Sequence, residues 1–172
     1  MGTARRVIGI DPGLTGAIAV VQCYDGPGSF AQVIDMPLRQ ERGRRVLDPV
    51  RIVAILRGFA GECRRVPVMV ESQWAHPAEG VTSSFRMGES FGLLKGLCVG
   101  STVPEFDVLT VSAVRWKRHF GLLKTGKDGA RQYALERFPA LQGQLSRKKD
   151  HGRGDSLLVA LYVAETAVGG PW

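Results

Sequence analysis

The chain has 172 residues, 44% of them apolar and 23% charged, the balance of a globular domain long enough to bury a core. Lys and Arg outnumber Asp and Glu by 23 to 16, a net charge of +7, which favours polyanionic partners, nucleic acid first. Cys23, Cys63 and Cys98 stand far apart with no CxxC pair, arguing against a disulfide framework or zinc site, and no apolar run approaches the roughly 18 residues of a membrane span.

Val7, Ile8 and Ile10 form a short apolar run bounded by charge and by Pro12-Gly13, the pattern of a buried central strand. The strand ends on Asp11, and burying a carboxylate is costly unless something compensates it. A hard divalent cation would do so; a hairpin with an Asp in its turn is the alternative. Ala17 to Val21 reads as a second strand running back, and Phe30 to Met36, after a turn cluster at Tyr24 to Gly28, as a third. Pro37 to Leu47 reads as a polar loop carrying Arg39, Arg42, Arg44 and Arg45. A solvated connection is preferred there to a phosphate-facing flap.

Asp48-Pro49 is a helix start, with Asp as N-cap and Pro at the first helical position. Ile52, Ile55, Leu56 and Phe59 then trace one apolar stripe until Gly61. Val66 to Glu71 repeats the arrangement at Asp11, a buried-strand pattern ending on an acid. Ser72 to Ser84 is a loop holding Trp74 and His76, and a helix is expected from about Ser83. It carries Gly88, Gly92, Gly96 and Gly100 at four-residue steps, although each glycine costs about 1 kcal/mol relative to Ala in a helix interior. They form one smooth face, which packs either on the protein's own sheet or on the same helix of a second subunit. Arg86, Glu89 and Lys95 exclude the membrane form of this motif.

Phe106 to Val111 is a fifth strand, and Ser112 to Phe120 a short helix with a basic cluster at Lys117, Arg118 and His119. GLLKTGKD, from Gly121 to Asp128, nearly matches the phosphate-binding pattern GxxxxGK[ST]. It is rejected, because Asp128 stands where a hydroxyl is required and no strand leads into it. The stretch reads instead as a helix start, with Thr125 as cap, Asp128 in the first turn, and Ala130, Tyr133, Ala134 and Phe138 as the buried face. Leu141 to Lys149 is polar and ends in Arg147-Lys148-Lys149; Asp150, His151 and Asp155 follow at once. Leu157, Leu158, Leu161 and Ala164 mark a last helix to about Ala167. His151 and Asp155 share a face of it, and the dipole favours Asp155 near its start; capping chemistry in a solvated first turn is the alternative.

The order is therefore three strands, helix, strand, helix, strand, two helical segments and helix, an α/β domain spanning residues 1–172 without repeats or an evident linker. This order, with GIDPGLTGAIAV, VMVESQW, MGESFGLLKG and DSLLVALY in sequence, resembles the RuvC-type Holliday junction resolvases of the ribonuclease H-like superfamily. WKRHFGL, KDGARQYALERFP and RKKDHGRGDSLLVALY resemble the chloroplast branch more closely still. The resemblance covers nearly the whole chain and is weakest from Gln22 to Arg65.

The resemblance implies a ribonuclease H-like fold, a five-stranded mixed sheet flanked by helices. It implies metal-binding acids at Asp11, Glu71 and Asp155, with Asp150 as an additional acid of the chloroplast branch. His151 lies where some relatives place a catalytic His or Asp, and would position or deprotonate the attacking water or protonate the leaving oxygen. In the bacterial enzymes the last two acids are three apart, whereas position 152 here is Gly. Trp74 occupies the place of an aromatic that wedges into the opened junction, with His76 beside it. Lys117, Arg118, Lys124, Lys127, Arg147, Lys148 and Lys149 would hold phosphate backbone. The helix carrying Gly88, Gly92 and Gly96 corresponds to the dimer interface.

The expected activity is a homodimeric endonuclease that nicks four-way DNA junctions in symmetric pairs. It uses two Mg²⁺ ions per site, with Mn²⁺ able to substitute, about 3.5–4 Å apart, and no nucleotide cofactor. The rivals are a ribonuclease H-like nuclease cutting RNA–DNA hybrids or flaps, a non-catalytic junction-binding relative, and an actin-like ATP-binding protein. The last needs two such domains, more than this length supplies. The first strand begins almost at once, leaving no room for a signal or transit segment. The expected location is accordingly the cytoplasm of a bacterial cell or phage-infected host, in association with the nucleoid.

Overall fold

The computed structural model of the chain describes residues 5–23, 29–74, 79–100, 105–126 and 128–166. In chain order the strands are β1 (Arg5–Asp11), β2 (Ala17–Cys23), β3 (Ser29–Asp35), β4 (Leu38–Glu41), β5 (Arg44–Leu47), β6 (Arg65–Glu71) and β7 (Glu105–Val111). The helices are α1 (Pro49–Ala60), α2 (Val81–Val99), α3 (Ala113–His119), α4 (Gly129–Arg137) and α5 (His151–Thr166). Short 3₁₀ turns at Pro139–Gln144 and Lys148–Asp150 precede α5.

Five strands form one sheet in the order β3-β2-β1-β6-β7. β1, β2 and β3 are an antiparallel meander, while β6 and β7 run parallel to β1. This is the mixed sheet expected, with β1 at its centre. Side chains alternate across a strand, and the alternation divides the core. Ile8, Ile10, Ile18, Val66, Val68 and Val70 face a layer built by α1 and α2. Val7, Ala17, Ala19, Met69 and Val111 face a layer built by α3, α4 and α5.

α5 lies directly on β1. A Cβ at Gly9 would collide with the carbonyl oxygen of Ser156 and the amide of Ala160, so the absent side chain sets the helix–strand distance. From Ser156 to Val163 the helix is buried all round, which explains why its apolar residues are not confined to one stripe. α1 follows its sequence signals: the Asp48 carboxylate accepts from the Val50 and Arg51 amides, Pro49 opens the helix, and Gly61 closes it at φ 58°. Among the described residues no helix is long and apolar enough to cross a membrane.

Several segments depart from the sequence expectations. Pro37 to Leu47 is not a loop: β4 and β5 pair as a separate hairpin, with Leu38 opposite Leu47 at its base and Arg42-Gly43 at its tip. Alternation there is masked by charge. α2 begins at Val81, two residues ahead of Ser83, behind Gly80 with no side-chain cap. Thr125 does not cap α4; its hydroxyl donates to the Leu122 carbonyl, and Asp128 occupies the N-cap position. The Asp128 carboxylate instead takes Nε and Nη2 of Arg131, whose Nη1 donates to the Leu145 carbonyl at 2.5 Å. That network satisfies a buried guanidinium, which would otherwise be costly. The nominally polar stretch after Leu141 is tied down by Leu141 and Leu145, both in the core against α4 and α5.

Gly9→Ala is expected to lower stability by about 3 kcal/mol or more through overpacking, a fall of roughly 6–12 °C in melting temperature for a chain of this size. Calorimetry on the purified protein measures it.

Candidate active site

The sheet register builds the site. β1 and β6 are adjacent and parallel, with Ile10 paired to Val70, so Asp11 and Glu71 end neighbouring strands one residue further on. Strand spacing of about 4.8 Å makes them lateral neighbours. Both alternate with residues of the α5 side, Asp11 with Val7 and Glu71 with Met69. α5 then presents Asp155 from its second turn, four residues after the exposed His151.

The electrostatics show that these three acids share one environment. Burial, then the charge of Asp155, push Asp11 up to about 6; the Gly13 backbone amide, His151 and Lys117 pull the other way. Burial, then Asp11 and Asp155, push Glu71 up to about 7 against the Trp116 hydrogen bond and Lys117. Asp155 is also raised, by burial, and lowered by Lys117 and His151. Mutual repulsion in a poorly solvated cleft is what a divalent cation relieves, and three carboxylates are the hard oxygen donors that Mg²⁺ or Mn²⁺ takes. The donor chemistry thus fits a metal. The side chains are not closed upon a single point: among the described residues no group of three acids, histidines or cysteines is arranged to grip one ion.

Asp150 is not brought into this set. Its buried carboxylate accepts from the Arg147 backbone amide at 2.9 Å and from Nη2 of Arg147 at 2.8 Å, with Nη1 of Arg153 at 3.9 Å. Arg147 holds it below the usual carboxylate range. Asp150 therefore closes the turn before α5. Arg153 reaches across to Asp35 on β3 through two hydrogen bonds and to the Gln144 carbonyl. Arg147 being committed to Asp150, Lys148 and Lys149 are the exposed cations of that segment with no ion-pair partner among the described residues.

Gly152 is required by the packing of α5 on the β1–β2 turn. A Cβ at this position would lie 2.5 Å from the Thr15 carbonyl oxygen and 3.0 Å from Oδ2 of Asp11. No side chain fits there, and α5 approaches the β1–β2 turn as closely as its backbone allows.

The sequence reading missed Trp116. It is fully buried on α3, and its indole N–H donates to Oε2 of Glu71 at 3.1 Å. The next residue, Lys117, places its ammonium over the Trp116 ring at 5.1 Å from the centroid, and its charge lowers all three acids. Lys117, expected as a phosphate contact, is also near enough for its charge to act on all three acids. The available signal was a lone large aromatic inside a basic helix next to the strand after Glu71. Of the remaining sites, Trp74 is 78% exposed, and Arg118 and Lys124 are exposed. His76 and Lys127 lie outside the described residues.

Two outcomes are expected. Trp116→Phe keeps the ring but removes the N–H, and should weaken Mn²⁺ binding about 10-fold or more by titration calorimetry, the usual scale for groups behind a ligand. The raised values of Asp11 and Glu71 fix a sign for pH. Their destabilising charge is absent below about pH 4 and full once pH exceeds about 7, so the chelator-treated protein loses stability as pH rises between those limits. Asp11→Asn should accordingly raise its melting temperature at pH 8 by ~2–4 °C for each kcal/mol of repulsion removed, and by less at pH 4.

No protein-family profile matches the chain. It is 36% identical over 109 residues to a chloroplastic Holliday junction resolvase, MOC1, of Chlamydomonas reinhardtii; the match covers 59% of this chain and 12% of that protein. The chain thus spans only about an eighth of that relative's length. Among solved structures it is similar to RuvC of Thermus thermophilus in complex with a Holliday junction substrate, with TM-score 0.58 and 19% identity over 96% of both chains. A second Thermus thermophilus RuvC structure gives TM-score 0.54 and 17% identity over 97% of this chain and 99% of that one. The chain has the RuvC fold, a ribonuclease H-like arrangement.

Proposed function

We propose that this chain is a metal-dependent, structure-selective endonuclease that resolves four-way DNA junctions by paired nicks, working as a symmetric dimer. The observation that carries the reading is the convergence of Asp11, Glu71 and Asp155, with Lys117 and His151, at one end of a RuvC-type sheet. The sequence similarity to a chloroplastic resolvase supports the choice of substrate. The substrate places the proposed action on DNA, and the proposed setting is the cytoplasm of a bacterial cell or phage-infected host.

In this reading Asp11, Glu71 and Asp155 would hold divalent metal, Mg²⁺ in the first place. Bound there, the metal would supply Lewis-acid chemistry for phosphodiester hydrolysis, at the attacking water and at the leaving oxygen. His151, exposed at the start of α5, moves a proton at the attacking water or at the leaving oxygen. Lys117, whose charge acts on all three acids, draws the scissile phosphate into the cleft. Trp116 holds Glu71 in orientation. Asp150 is left out of the ligand set because Arg147 occupies it; its role is to fix the turn from which α5 starts.

Lys148, Lys149, Arg118 and Lys124 are the proposed phosphate contacts, with His76 and Lys127 included on the sequence pattern. Trp74 stacks on unpaired bases at the branch point, a contact worth about 1–3 kcal/mol per base.

A four-way junction presents two equivalent strands, so a two-fold dimer is its natural reader. α2 supplies the surface. A Cβ at Gly88, Gly92 or Gly96 would meet nothing within 4 Å, so the glycine face does not pack on the protein's own sheet. Val81, Phe85 and Val99 continue the same helix with large exposed side chains, Phe85 at 71%.

The deciding experiment offers a four-way junction, a matched duplex and an RNA–DNA hybrid to the wild type and to Asp11→Asn, with Mg²⁺ and with chelator. Paired symmetric nicks on the junction alone are expected, falling on the order of 10³-fold in Asp11→Asn while junction binding persists. Cleavage of the hybrid instead would make the protein a ribonuclease, and binding without metal-dependent cutting would make it a junction-binding protein. Gly92→Arg is expected to give monomers by sedimentation and to uncouple the two nicks; an unchanged dimer would remove α2 from the interface.

A further inference from the structure

The β4–β5 hairpin is not used by any step above. Its ten residues, Leu38 to Leu47, hold four arginines against one glutamate. Arg39 is paired with Glu41 at 2.6 Å. Arg42, Arg44 and Arg45 are exposed and have no carboxylate partner among the described residues. Pairing places Arg44 opposite Glu41 and Arg45 opposite Gln40, so the free guanidinium groups are divided between both faces and the tip.

The tip is built at a conformational cost. Arg42 (φ 49°) and Gly43 (φ 76°) both have positive φ, the two-residue turn that Asn-Gly or Gly-Gly forms most readily. Among the described residues Arg42 is the one non-glycine with positive φ, a conformation disfavoured for a residue with a Cβ. A long cation is therefore held where a small residue is conformationally preferred. The base is firm: Leu47 is buried, and Leu38 packs against the same α1 layer.

The hairpin also stands at the catalytic end of the sheet. Asp11 pairs with Ala17, Ala17 with Asp35, and the Met36 amide donates to the Gly16 carbonyl at 2.9 Å. Two strand spacings separate Asp35 from Asp11, about 10 Å, and β4 begins three residues after Asp35. Four-residue strands give the arm a span of roughly 13 Å.

We infer that the β4–β5 hairpin is a DNA-binding arm whose Arg42, Arg44 and Arg45 grip the phosphate backbone of duplex DNA beyond the cleavage site. The guanidinium fork matches phosphate oxygens in pairs, and the arm's exposed surface carries no large apolar side chain that would point to a protein partner. The inference deepens the junction-nuclease reading and rests on it for the position of the arm relative to the cut.

The test measures binding of the full chain to a four-way junction and to linear duplex across a series of salt concentrations. Wild type is compared with the triple variants R42A/R44A/R45A and R42K/R44K/R45K, each checked for an unchanged melting temperature. The alanine variant is expected to lower the slope of log affinity against log salt by about 2–3, because each lost phosphate contact removes about 0.9. Its affinity should fall about tenfold or more at a given salt, and the lysine variant should restore most of the slope. Equal slopes for wild type and the alanine variant on both DNAs overturn the inference. A wild type that binds duplex no less tightly than the junction overturns the resolvase reading instead, and the duplex slopes still decide the arm.

Discussion

The contact between α5 and β1 is the constraint from which the rest of this structure follows. Gly9 leaves the space that Ser156 and Ala160 enter, and Gly152 leaves the space that Asp11 and Thr15 need. A helix and a strand meeting at backbone distance at two points have little freedom to slide or rotate. Asp155 is carried on the same helix between those points, so its position over the ends of β1 and β6 is fixed by backbone packing rather than by side-chain preference. Catalytic groups gain from this kind of rigid support, since a displacement of about 1 Å can cost a factor of 10² in rate.

The surrounding ion pairs hold the start of α5 from other directions. Arg147 closes on Asp150, and Arg153 ties the first turn to Asp35 on β3 and to the Gln144 carbonyl. Trp116 holds Glu71 from α3. Two kinds of carboxylate result within a few residues of one another. Asp150 and Asp35 face arginines and are lowered; Asp11, Glu71 and Asp155 face one another in a poorly solvated cleft and are raised. The first kind builds the frame, and the second is the kind whose repulsion a cation offsets.

Much of this was legible in the sequence because short apolar runs ending on acids announce where strands stop. Asp11 and Glu71 could be placed on one sheet end from that pattern alone, and Asp48, Pro49 and Gly61 fixed the bounds of α1. What could not be read was direction. Asp150 lies next to the site in the chain, yet the backbone turn points its carboxylate at Arg147, and no spacing rule distinguishes that from pointing at Asp11. Trp116 was hidden within a basic cluster, where an aromatic reads as solvent-facing. The β4–β5 hairpin was hidden because arginine on both faces erases the alternation that marks a strand. The glycine steps of α2 were visible as a smooth face, but only the open space around Gly88, Gly92 and Gly96 separates an unpartnered face from one packed on the sheet.

Asp11, Glu71 and Asp155, without Asp150, are the proposed metal-binding set. Anomalous diffraction from crystals soaked in Mn²⁺ tests it most directly. Anomalous peaks are expected within coordinating distance of Asp11, Glu71 and Asp155, with Asp150 still bonded to Arg147. A peak coordinated by Asp150, or strong Mn²⁺ sites only elsewhere on the molecule, would contradict it.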